Sequence, residues 1–136
     1  MGIWQGRSRR KSTGGRLRPN RKKRRFEIAR EIQFPTIGET SLKLYRVRGA
    51  ARKVRILSDN KINVYDPATK VTKVAKATTV TQNGANPNYV QRNILSKGAV
   101  VQTDMGPVRI LSRPGQHGVL NGILLPKAAQ EPTPNA

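Results

Sequence analysis

Eleven cations stand ahead of the first carboxylate of this chain. They are Arg7, Arg9, Arg10, Lys11, Arg16, Arg18 and the unbroken run Arg21, Lys22, Lys23, Arg24 and Arg25; the first acid is Glu27. Residues 1–25 therefore carry +11 of a net +20, leaving +9 for the rest. The chemistry open to such a stretch is neutralisation of phosphate. Arginine outnumbers lysine eight to three in it, and a guanidinium offers a planar fork to two phosphate oxygens and a flat face to a base, where an ammonium offers a point charge. Ser8, Ser12 and Thr13 add hydroxyl donors, while Gly14 and Gly15 let the backbone approach a sugar-phosphate wall. Trp4, the single Trp, has two roles open to it: stacking on a base, or anchoring the terminus to the body. On charge alone, a solvated basic tail is the plainer alternative.

Residues for covalent or acid–base chemistry do not assemble. Glu27, Glu31, Glu39, Asp59, Asp66, Asp104 and Glu131 are scattered, and Asp59, Asp66 and Asp104 sit where turns need them. His117 is alone in the loop SRPGQHG with Arg113 and Gln116, and reads as a loop hydrogen-bonding group or an RNA contact. No His-and-acid pair is placed to activate a Ser or Thr. The absence of cysteine excludes disulfides, thiolate zinc sites and a thiol nucleophile. Gly14-Gly15 lacks the surroundings of a Walker or dinucleotide loop. The expectation is a protein that is not an enzyme, with no catalytic residue, cofactor, metal site or small-molecule substrate. No apolar run reaches the roughly 20 residues of a membrane span, and no secretory signal opens the chain. The arm has almost nothing apolar to insert into a bilayer, so no membrane partner is expected and the expected location is the cytoplasm.

These cations need a scaffold. Residues 1–26 cannot bury enough apolar surface to offset the entropy of ordering, so the arm is expected to be largely disordered until a polyanion meets it. Residues 27–40 read as a short helix and linker: Asn20 can cap, Phe26, Arg30 and Phe34 recur every four residues, and Pro35 stops the run. From 41 to 125 the pattern is β. Leu42 and Leu44 alternate with Lys43, and Val54 and Ile56 with Lys53 and Arg55, which predicts half-buried strands with basic outer faces joined through Gly49–Ala51. Arg46, Arg48, Arg52 and Lys53 gather at that hairpin as a second candidate for nucleic acid, with Arg113 a further one.

Ile62 and Val64 mark the next strand, Asp66-Pro67 a turn, and residues 70–81 one long strand or two short ones. Asn86, Pro87 and Gly98 frame the expected body helix. Residues 99–103 and 108–112 form a hairpin, 119–125 a last strand in the sheet or core, and the proline-rich 126–136 a frayed tail. Short strands with turns about every ten residues favour a small barrel or sandwich. The fold class expected is mainly β: a small β-barrel of about six strands with one short helix, plus the extended basic arm.

The order of SRRKSTGGRLRPNRKKRRFE, KLYRVRGAARKVRILS, NVYDPAT and RNILSKGAVVQTDMGPVRILSRPGQHGVLNGILL, behind the opening MGIWQGRS, resembles the archaeal form of the eighth small-subunit ribosomal protein of the archaeal and eukaryotic type, the S8e family. The resemblance covers all but the proline-rich tail. It implies a structural constituent of the small ribosomal subunit, with small-subunit ribosomal RNA and neighbouring small-subunit proteins as partners. It also implies a barrel seated on the RNA and a basic extension running into it. The family's arm falls on Arg7, Arg9, Arg10, Lys11, Arg16, Arg18 and Arg21 to Arg25. A rival from another class is a free-standing, non-specific nucleic-acid chaperone or compactor.

Overall fold

The computed structural model describes residues 3–126; the expected tail lies outside these from residue 127 on. The chain divides into two compact units between Ile32 and Gln33.

In the first unit, β1 (Ile3–Trp4) pairs antiparallel with β2 (Ile28–Ala29), setting Trp4 opposite Ile28. The helix expected over 26–34 does not form. A single 3-10 turn covers Arg25–Glu27, capped by Arg24 rather than Asn20, and the chain then becomes extended. Two local contacts explain the stop. The Glu27 carboxylate accepts from the Arg24 backbone N–H at 3.1 Å, and the Glu27 carbonyl accepts from the Gln5 N–H at 2.8 Å, so it is no longer available to a following turn.

The second unit begins with an antiparallel hairpin of β3 (Ser41–Arg46) and β4 (Arg52–Ser58), closed where the Val47 N–H donates to the Ala51 carbonyl at 2.8 Å. Then come β5 (Lys61–Asp66), β6 (Val71–Gln82), the single turn α1 (Asn88–Gln91), β7 (Val100–Thr103), β8 (Gly106–Ile110), the single turn α2 (Pro114–His117) and β9 (Asn121–Leu124). Strands β5 to β9 form a closed barrel. The molecule is mainly β, as its alternation predicts, but the barrel has five strands rather than about six, and two short α-helices rather than one stand among the described residues. Strands β3 and β4 form a separate sheet.

Five strands cannot alternate direction all the way round a ring, so one neighbouring pair must be parallel. That pair is β5–β9, with Val64 opposite Gly122, and it leaves the ring no open edge. The ring encloses Ile62, Val64, Val80, Val101, Val108 and Ile110, with Leu95, Ala99, Leu120 and Ile56 of β4 completing the core. Each aliphatic side chain so buried is worth about 1.5–3 kcal/mol. Residues 70–81 resolve as one long strand whose two ends serve different neighbours. Positions 71–76 pair with β5, and from Ala77 on with β7 through two register shifts. Those bulges bend the strand around the ring.

The expected turns hold. Asp66 accepts from the Ala68 N–H and the Thr69 hydroxyl, both at 2.9 Å, and buried Asp59 accepts from the Thr40 hydroxyl and the Lys61 N–H. The body helix expected between Asn86 and Gly98 shrinks to one turn, because Asn93 turns left-handed at φ +50° and the backbone after it pairs with a distant segment. The Asn93 carbonyl accepts from the Ile37 N–H at 3.3 Å, and the Leu95 N–H donates to the Pro35 carbonyl at 2.7 Å. The Asn93 side chain accepts from the Val80 N–H, tying this turn to β6.

Candidate nucleic-acid interface

All eleven cations of the arm are exposed. Residues 9–17 fold back on themselves: Arg10 and Arg16 are bridge partners, the Leu17 N–H donates to the Arg9 carbonyl at 2.7 Å, and the Lys11 N–H to the Gly15 carbonyl at 2.8 Å. Gly14 sits at φ +83°, a left-handed value that only glycine adopts freely, with nothing within 4 Å of where a Cβ would stand. Lys11, Ser12 and Thr13 are exposed at the tip. The Arg10 guanidinium donates to the Gly14 carbonyl at 2.8 Å, fixing it beside the turn. Trp4 donates its indole N–H to the Arg7 carbonyl at 3.0 Å, and Arg9 lies 5.6 Å from the centre of its ring. Thus Arg7, Arg9 and Trp4 form one cluster, and Arg10 to Arg16 another. Arg18, Lys22, Lys23 and Arg25 join neither.

Arg21 is tied to Glu27 by a short ion pair and lies 5.8 Å from the Phe26 ring centre. The Arg24 backbone N–H, and after it the Arg21 guanidinium, hold the Glu27 carboxyl below the ordinary glutamate value. A depressed carboxylate pKa stabilises the turn fully above the unfolded value, and that contribution disappears as pH falls through the lowered folded value. Titration followed by side-chain carboxyl NMR is expected to show Glu27 protonating below the ordinary glutamate range; a normal midpoint would mean that the turn does not hold it.

In the second unit the hairpin register sorts the cations onto two faces. Leu42, Leu44 and Arg46 stand opposite Ile56, Val54 and Arg52 on one face. Lys43 and Tyr45 stand opposite Arg55 and Lys53 on the other. The four hairpin candidates are therefore not one cluster: Arg46 and Arg52 share a face, Lys53 lies on the opposite face, and Arg48 is in the connection. Leu42 and Leu44, expected to be half-buried, are 49% and 63% exposed, while Ile56 on the same face is fully buried in the core. The loop bearing Arg113 and His117 packs against β4. A Cβ on Gly118 would lie 2.8 Å from Val54 Cβ. Arg113 is exposed, its backbone N–H donating to His117 Nδ1 at 3.4 Å.

Lys43, Tyr45 and Arg55 escaped the sequence reading as site residues. The signal was present in the alternation of KLYR against RKVR, but only the pairing register shows that these side chains meet. Arg55 lies 4.9 Å and Lys43 5.7 Å from the Tyr45 ring centre.

What this geometry defines is a small closed-barrel protein with a densely basic, acid-free arm and a cationic hairpin. The chain belongs to the ribosomal protein S8e family, whose model matches residues 4–125. It is 52% identical over 122 residues to the small ribosomal subunit protein eS8 of Methanocella arvoryzae, spanning 90% of this chain and 98% of that one. Over 125 residues it is 47% identical to the protein of the same name from Picrophilus torridus, covering 92% of this chain and all of that one. Over 123 residues it is 50% identical to that of Methanoregula boonei, covering 90% and 98%. As a member of a ribosomal protein family it is a structural component and not an enzyme.

Proposed function

We propose that the chain is a constituent of the small ribosomal subunit, located with the ribosome in the cytoplasm, that binds and stabilises small-subunit ribosomal RNA. The barrel docks on a folded RNA surface, and the arm orders as its guanidinium groups screen phosphates crowded between helices. The observation that carries this reading is the extent of the family match: it runs from residue 4, so it takes in the arm as well as the barrel. Charge supports the same division of labour. The arm packs eleven cations into 25 residues with no acid to oppose a polyanion before Glu27, while the sixteen that follow are spread over 111 residues among seven acids. Specificity then comes from RNA shape and a few unpaired bases, because the A-form major groove is too deep and narrow to be read by side chains. Neighbouring small-subunit proteins are the further partners of this placement.

Sedimentation of cell extract separates this reading from that of a free-standing chaperone. Co-migration with small subunits that survives moderate salt is the expected result. Release into the light fractions, or association with DNA, would establish the rival.

A further inference from the structure

We infer that the Tyr45 face of the β3–β4 hairpin is a stacking site for an unpaired base of single-stranded RNA. This rests on the RNA-binding reading and narrows it to one subsite and one class of ligand. Two observations converge on the ring. The register places Lys43, Tyr45, Lys53 and Arg55 together on one face of a sheet of only two strands. Two cations lie within 6 Å of the ring centre, and the ring is only partly buried.

The pairing also sets Lys43 directly opposite Arg55, and Arg46 directly opposite Arg52, with no acid anywhere in either strand. Like charges facing each other across a ladder are destabilising. An anion lying along the Tyr45 face relieves the Lys43–Arg55 pair. An acidic peptide would neutralise the cations but make no use of the ring. A single strand uses everything present: its phosphates meet Lys43, Lys53 and Arg55, and a base stacks on the tyrosine or on the Arg55 guanidinium plane. Duplex RNA cannot do this, since its base faces are already stacked.

The full chain is tested against a single-stranded oligoribonucleotide carrying one 2-aminopurine, and against a fully paired RNA of the same length. The wild type and Tyr45→Phe are expected to quench the fluorophore alike. Tyr45→Val, which keeps strand propensity but removes the ring, is expected to weaken single-strand binding about tenfold, abolish the quench, and leave the salt slope and the duplex affinity unchanged. Equal loss on both probes, or no loss on the single strand, overturns the inference and leaves the ring to a protein neighbour. Should Tyr45→Val not fold, Lys43→Gln combined with Arg55→Gln keeps the ring and is expected to flatten the single-strand salt slope by about 1.4; an unchanged slope overturns the site equally. A wild-type chain that binds neither RNA defeats the RNA-binding reading itself, and this site with it.

Discussion

Deleting residues 1–25 is expected to cost the chain orders of magnitude in affinity for small-subunit ribosomal RNA at low salt, and to flatten the dependence of that affinity on salt. Each phosphate neutralised releases condensed counterions, contributing about 0.7 to 0.9 to the log–log slope. With about eight phosphates engaged, the full chain is expected near a slope of −6 to −7. The deletion removes eleven cations and not one acid, so the slope of the remainder is expected to be shallower by several units. The barrel would still fold, because none of its core residues lies before Ile56. Binding titrations between 50 and 200 mM salt, on the range where such slopes are about linear, read both quantities at once. A slope unaltered by the deletion would show that the arm does not carry the phosphate contacts.

The second large effect is on the barrel itself. Replacing Gly122 is expected to destabilise the fold by about 2 kcal/mol for alanine and more for valine. A Cβ at this position would stand 2.4 Å from Val108 Cγ1 and 2.9 Å from the Arg109 carbonyl oxygen. Neither neighbour can easily withdraw. Val108 is fully buried in the core, and the strand carrying both residues is laddered to β9, with Ile110 opposite Gly122. On its other side Gly122 faces Val64 in the parallel pair that closes the ring, so a shift of β9 away from β8 would strain the closure as well. Thermal unfolding is expected to show a midpoint lowered by roughly 10 °C for Gly122→Ala. A midpoint within a degree or two of the wild type would show that β9 can move, and that closure is looser than the geometry implies.

How far the chain can be read without its coordinates depends on whether a feature is local. Ile62 with Val64, and Val108 with Ile110, alternate with polar neighbours and sit inside the barrel as that period demands. Asp66 announces its turn because its own carboxylate makes the bonds that hold it. Closure is different. It depends on Asn63, Val64 and Tyr65 meeting Asn121, Gly122 and Ile123 from the far end of the body, and no short-range pattern encodes that pairing.

Leu42 and Leu44 show the limit of periodicity. Alternation tells which side of a strand is apolar, but not whether another layer covers it. The shortened helix after Asn86 fails for another reason: cap, proline and apolar spacing were all present, yet Asn93 turns left-handed and Leu95 pairs with Pro35 from a distant segment. The same distinction governs the candidate site. The identity of the cations is plain from composition, since eleven bases without an acid have few other uses. Which of them share a face was hidden, because hairpin register puts Lys53 with Tyr45 and turns Arg46 and Arg52 the other way.

Protein–RNA crosslinking on intact small subunits, mapped at residue resolution, tests the central claim most directly. Crosslinks to ribosomal RNA are expected to concentrate on Arg7 to Arg25 and on the Tyr45 face of the hairpin. Crosslinks confined to neighbouring proteins, with the arm residues unmarked by RNA, would contradict it.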